Sequence, residues 1–151
     1  GYYATVKRLA TKAAELDPTY YFPVMLVGWA DCEAGKPGNA IPALTKAKAM
    51  ESPAFVTAWL AYAYGASGDS VRAMGELREL KNRSLRGQVA PFNLALAYLG
   101  LGDRPRTLEY LEQAYAADSQ WLGWLKNDRI FEPLRSEPRF LALLRKLRLE
   151  K

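Results

Sequence analysis

The chain has 151 residues, of which half are hydrophobic and a quarter are charged, so it can bury a substantial core. It contains no histidine, which excludes Ser-His-Asp and Cys-His nucleophilic sites and most catalytic zinc sites. Its single cysteine excludes an internal disulfide and a multi-cysteine metal site. No apolar run approaches the roughly 18 residues of a membrane span. The composition therefore indicates a non-enzymatic protein without a cofactor or a metal ion.

The formal net charge of +5 arises mainly at the C-terminus. Residues 126–151 hold eight of the 21 basic residues but only four of the 16 acidic ones. Such a basic segment can bind nucleic acid or an anionic membrane surface, but so small an excess is typical of a solvated helix face. We favour the solvated face and keep nucleic-acid or membrane binding as a weaker hypothesis.

The chain begins Gly1-Tyr2-Tyr3, without a methionine and without the basic and apolar segments of a signal peptide. We therefore expect a fragment of a longer protein, whose targeting signals the fragment does not reveal. A cytoplasmic location is favoured.

A period of about 34 residues runs through most of the sequence. Residues 60–69 align with residues 94–103, 34 positions later, and six of the ten positions are identical. Gly35 aligns in the same way with Gly68, 33 positions later. So constant a period predicts an array of similar structural units.

The predicted elements follow this period in chain order. A single helix covers about 2–17, and three units of two helices each follow at about 21–52, 54–85 and 88–118. The first helix of each unit places small residues among large ones, which allows a neighbouring helix to approach closely. The second carries apolar residues at helical spacing. The predicted fold class is therefore all-α.

A glycine separates the two helices of each unit. A glycine after the last helical residue is typical of a left-handed C-terminal cap. The three glycines in question are Gly35, Gly68 and Gly102.

The period, the paired helices, the leucine followed by a small residue, the glycine turn and the closing Leu16-Asp17-Pro18 resemble the tetratricopeptide repeat. The resemblance covers residues 1–118 and comprises the second helix of a partial repeat, followed by three full repeats. It implies a right-handed superhelical solenoid of antiparallel helix pairs, about 3.5 repeats long. The tryptophan usually found early in this motif is missing.

Residues 119–151 break the period and are predicted to form capping helices. Asp128 is expected to cap a short turn, and Ser136 to cap a helix that begins at Pro138. One apolar stripe follows on that helix, formed by Phe140, Leu143, Leu144 and Leu147. This segment also resembles the end of bacterial tetratricopeptide domains that are attached to serine/threonine kinases, winged-helix regulators and nucleotide cyclases.

A recurring apolar stripe on the first helices provides the candidate binding site. Its members are spaced three and then four residues apart, so each group lies on one helical face. By resemblance, these positions line the concave groove of the solenoid. The stripe contains no lysine or arginine, and Glu33 is the only charge expected near it. The candidate partner-binding residues are Phe22, Met25, Trp29, Phe55, Tyr62, Phe92 and Leu96.

The apolar stripe favours a protein or peptide partner. Family members that clamp a carboxylate use basic residues and asparagines at groove positions, where this chain has only Asn93. RNA-reading repeats need polar base contacts. An apolar groove suits a peptide or helix with apolar anchors. Alternatively, the stripe is covered by the C-terminal segment, by further repeats or by a second copy of the chain.

Two functional hypotheses follow. The first is a non-catalytic interaction or scaffolding module that binds a peptide or helix in the groove. The second is a regulatory or oligomerisation arm of a larger signalling protein, such as a kinase or transcription regulator, whose groove is closed by self-association. Cys32 lies between Asp31 and Glu33, where the negative charge disfavours a reactive thiolate.

Overall fold

The computed structural model describes residues 1–149, and all regular secondary structure in that part of the chain is helical, which confirms the all-α prediction. The α-helices are α1 (Tyr2–Leu16), α2 (Tyr21–Glu33), α3 (Pro37–Met50), α4 (Ala54–Ala66), α5 (Ser70–Ser84), α6 (Pro91–Gly100), α7 (Arg104–Ala116) and α8 (Pro138–Lys146). Two 3-10 helices, Gln120–Trp124 and Arg129–Leu134, connect α7 to α8. No helix within these residues is long and apolar enough to span a bilayer.

The helices form a repeat-like arrangement. From α1 to α7, each helix packs against the next one in the chain, and α4 also packs against α6 and, less extensively, against α2. In α3 and α5 the buried positions are the predicted apolar ones, such as Leu44 and Leu77. In α7 the prediction is correct for Leu108 and Leu111 but wrong for Tyr115, which is 40% exposed. One continuous core therefore extends from α2 into the C-terminal segment.

The three predicted glycine caps are confirmed. Gly35, Gly68 and Gly102 have φ angles of 76°, 94° and 74°, which residues with a side chain rarely adopt. In each turn, the amide of the following residue donates to a carbonyl five residues earlier, at 2.8–3.0 Å. These bonds satisfy carbonyls at the end of the helix and reverse the chain into the next one.

The sequence period is also a period of contacts. Asp69 caps α5 by accepting a hydrogen bond from the amide of Arg72 at 3.1 Å. The guanidinium of Arg72 lies 5.9 Å from the ring centroid of Tyr64. The same cap recurs 34 residues later, where the guanidinium of Arg106 lies 5.5 Å from the ring of Tyr98.

Glycines bring α4 and α6 into direct backbone contact. A Cβ atom added to Gly100 would lie 2.5 Å from the Cα atom of Tyr62. A Cβ added to Gly65 would lie 2.5 Å from the carbonyl carbon of Gly100. This crossing requires residues without a side chain, which explains the small residues among the large ones in these helices.

The C-terminal segment packs back onto the array. The 3-10 helix Arg129–Leu134 contacts α2, and α8 contacts α7. The ring centroid of Phe131 lies 6.3 Å from that of Phe92 in α6 and 6.2 Å from that of Phe140 in α8. Arg139 donates to both carboxylate oxygens of Glu112, each at 2.9 Å.

Two predicted caps in this segment are wrong. The N-cap residue of α8 is Glu137 rather than Ser136, and its side chain makes no capping hydrogen bond. Asp128 precedes the 3-10 helix Arg129–Leu134, but its side chain does not cap that helix either. Pro138 supplies the first helical residue, as expected, because proline at that position lacks only an amide that would have no helical partner. The last two residues of the predicted cap, 150–151, lie outside the described residues.

Candidate binding cavity

One cavity of about 310 Å³ lies between α1, the first helices of the three units (α2, α4 and α6) and the C-terminal segment. All four tryptophans of the chain line it: Trp29 in α2, Trp59 in α4, and Trp121 and Trp124 after α7. The remaining lining residues are Tyr2, Val6, Phe22, Met25, Leu26, Phe55, Phe92, Asn93, Leu96 and Asp128. A cavity of this size and composition is typical of a site that buries a few large apolar groups.

Six of the seven predicted groove residues line this cavity, namely Phe22, Met25, Trp29, Phe55, Phe92 and Leu96. Tyr62 does not, because it lies at the crossing of α4 and α6. It lines a separate, smaller hollow together with Cys32 and Ile130. Whether these residues bind a partner stays a prediction.

Sequence reasoning missed one wall of the cavity. Trp121, Trp124 and Asp128 belong to the segment after the last repeat, where the period no longer places residues relative to the helices. Side chains of Trp121 and Trp124 remain 45% and 53% exposed at the mouth. The C-terminal segment thus narrows the groove into a cavity, which is still open to solvent.

The charge in the cavity lining is Asp128, whereas the sequence suggested Glu33. Burial raises the pKa of Asp128 to about 6. Its carboxylate does not cap the neighbouring 3-10 helix. Asn93 of α6 also contributes a polar side chain to the cavity lining.

Glu33 instead attaches the C-terminal segment to α2. Its Oε2 atom accepts a hydrogen bond from the amide of Arg129 at 2.9 Å, across 96 residues of sequence. The side chain is fully buried, and burial together with the nearby charge of Asp128 raises its pKa to about 7. A carboxylate is an effective acceptor for this amide, but its charge is costly in so buried a position.

This burial predicts that the free energy of unfolding decreases as the pH rises from about 4.5 to 7. In that range the folded chain holds a proton on Glu33 that the unfolded chain, with its ordinary pKa of 4.5, has released. Asp128 acts in the same direction between 3.8 and about 6. Glu33→Gln removes the Glu33 contribution to this pH dependence, which is on the order of 3 kcal/mol. Urea denaturation across this pH range measures how steeply the free energy of unfolding falls with pH in the parent chain and in Glu33→Gln.

The other titratable groups around Glu33 do not obscure the test. The other groups that interact with Glu33 are the side chains of Tyr3, Cys32 and Tyr62. Burial raises the pKa of each of them further above the range of pH 4.5 to 7. Glu15→Gln, at an exposed position of α1, is the matched control and should keep the parent slope. Parallel curves for Glu33→Gln and the parent chain would contradict the prediction.

Cys32 is the free thiol of the chain and is 2% exposed. Burial, with the charges of Glu33 and Asp31, raises the pKa of this thiol well above its ordinary value. Such a thiol is a poor nucleophile at neutral pH. Asp31 itself forms an ion pair of 2.8 Å with Lys7, which joins α1 to α2.

Within residues 1–149, the structure contains no group of three or more acidic or cysteine side chains that could hold a metal ion. Comparisons with protein-family models, curated proteins and solved structures give no match to this chain. The tetratricopeptide resemblance therefore depends on the sequence motifs alone.

Proposed function

We propose that this chain is a tetratricopeptide-like solenoid that acts as a non-catalytic protein-interaction module. The 34-residue period, the three left-handed glycine caps and the recurring Asp–Arg–Tyr contacts support a solenoid of helix pairs. The ligand would be a short apolar segment of a protein partner, bound between the first helices and the C-terminal segment.

One observation supports this function best: all four tryptophans line a single open cavity. Tryptophan is enriched among the residues that contribute most to binding energy at interfaces, because it buries a large rigid area. A monomeric protein seldom leaves so apolar a surface without a use. A partner segment with two or three large apolar side chains would fill a space of about 310 Å³.

The test is selection of binders from a random-peptide display library. The peptides recovered should be rich in large apolar residues. Trp121→Ser with Trp124→Ser should weaken their binding by at least about 30-fold, since two interface tryptophans together contribute about 2 kcal/mol or more. Both residues are half-exposed, so the double variant should remain folded.

The control for this test is Leu85→Ser. Leu85 is a large apolar residue that is 88% exposed and is not among the residues that line the cavity. It controls for a general loss of surface hydrophobicity and should keep the parent affinity. If Leu85→Ser weakens binding as much as the tryptophan changes do, the peptides bind unspecifically and the cavity is not the site.

Self-association is the second candidate, favoured by the exposed face of α1. Tyr2, Leu9 and Leu16 are seven residues apart, share one face of the helix and are all more than half exposed. A second copy could cover this face, as an oligomerisation arm requires. Light scattering over a range of concentrations decides this: a constant monomer mass removes the candidate, and a concentration-dependent dimer favours it.

A further inference from the structure

We infer that the partner segment carries a basic side chain, arginine or lysine, among its apolar residues, and that Asp128 is the counter-ion for that side chain. The inference rests on the proposed peptide-binding function and specifies the chemistry of the peptide. Two observations support it. The described cavity lining contains one carboxylate and no basic side chain, and the Asp128 side chain does not cap the helix that follows it.

The cavity wall is complementary to a cation. Its lining combines aromatic faces with one carboxylate, that of Asp128, and includes no lysine or arginine from the described residues. A cation gains electrostatic energy over the face of an aromatic ring, and most of all over tryptophan. Trp121 and Trp124 lie in the same short segment as Asp128, and both keep exposed surface at the mouth of the cavity.

The backbone amide that follows Asp128 donates its hydrogen bond to another residue. An aspartate before a helix usually accepts a hydrogen bond from an amide of the first turn. Here the Asp128 side chain makes no such bond, and the amide of Arg129 donates to Glu33 instead. Burial raises the pKa of Asp128, and no hydrogen bond to its carboxylate offsets this rise. A cationic donor from a partner would satisfy this carboxylate.

Two basic residues that adjoin lining residues in the sequence face other groups. Lys7 of α1 pairs with Asp31 at 2.8 Å. The guanidinium of Arg129 lies against Gly35, at the end of α2. The overall charge of +5 opposes a basic ligand at long range, but salt screens exposed charges beyond about 8 Å under physiological conditions. The contact with Asp128 therefore decides the preference.

Arginine suits this site better than lysine. Its planar guanidinium can stack on an indole face while it donates two parallel hydrogen bonds to a carboxylate. A lysine ammonium makes the charge contact but has no flat face to stack. We therefore expect arginine to be the more frequent basic residue in ligands of the cavity.

The experiment compares peptides selected against the parent chain with those selected against Asp128→Asn. Asparagine nearly keeps the shape of the side chain, removes its charge and replaces one acceptor oxygen by an NH2 donor. Peptides selected by the parent chain should be enriched in arginine or lysine beside large apolar residues. Those selected by Asp128→Asn should keep the apolar residues and show a clearly weaker basic enrichment.

A second measurement changes the peptide and compares its affinity for the same two proteins. In the tightest peptide, arginine is replaced by citrulline, which has nearly the same shape but is neutral. Affinity for the parent chain should fall about tenfold or more, since a charge-assisted hydrogen bond is lost. Affinity for Asp128→Asn should fall less, by about fivefold or less, because in that variant citrulline removes only the contact of the cation with the tryptophan faces.

The outcomes separate this inference from the function on which it rests. Apolar peptides without basic enrichment, or an equal effect of citrulline on both proteins, would overturn the inference and leave the apolar peptide site standing. Recovery of no specific peptide by the parent chain would overturn both.

Discussion

Replacement of Gly100 by alanine should lower the free energy of unfolding by about 3 kcal/mol. The added methyl group would lie 2.5 Å from the Cα atom and 2.7 Å from the carbonyl oxygen of Tyr62. These are backbone atoms of α4, which cannot rotate away as a side chain can. The two helices must therefore separate, and this loses packing along the whole crossing. Urea denaturation of the variant measures the loss.

Gly75→Ala is the matched control for this substitution. Gly75 is also inside a helix, α5, but a Cβ atom there would meet no other atom within 4 Å. Alanine is a better helix former than glycine, so this variant should gain about 0.5–1 kcal/mol. The two substitutions should thus have opposite signs. A Gly100→Ala variant as stable as the parent would show that α4 and α6 are not in backbone contact.

Phe131→Ala should cost about 3–5 kcal/mol, the usual range for removing a fully buried phenylalanine. The side chain is fully buried, and its ring lies between Phe92 of α6 and Phe140 of α8. It therefore joins the C-terminal segment to the helical array. Because the segment and the array share this core, we expect one cooperative transition with a lower midpoint.

The control for Phe131 is Trp124→Ala. Trp124 is a larger aromatic residue of the same segment, but it is 53% exposed and should contribute less than about 1 kcal/mol to stability. A Phe131→Ala variant in which the array unfolds at the parent midpoint, after an earlier separate transition, would contradict the expectation. The C-terminal segment would then be an independent unit rather than a part of the core.

The repeated part of the chain was readily predicted from sequence. Glycines at a fixed period require the same left-handed turn each time, and the alternation of small and large residues reflects a helix crossing that only Gly65 and Gly100 allow. These local constraints recur, so each unit corroborates the others. The expectation that the seven groove residues share one surface came from the tetratricopeptide resemblance, and six of them line one cavity.

The cavity wall that Trp121, Trp124 and Asp128 form could not be predicted because no local rule describes it. The segment after α7 has no periodicity, and its position depends on long-range contacts such as the Glu33–Arg129 hydrogen bond and the burial of Phe131. Sequence reasoning assigned Asp128 to a capping role, since an aspartate before a turn usually has that role. Only the packing reveals that its carboxylate instead borders the cavity.

The most direct test of a single tryptophan-lined binding site is the indole region of a ¹⁵N–¹H NMR spectrum. The chain has four tryptophans, so four indole N–H signals are expected, and each reports on one part of the cavity wall. Addition of a selected peptide should shift all four signals with one common binding curve. Shifts of Trp29 and Trp59 without Trp121 and Trp124, or of none of the four, would contradict a shared site.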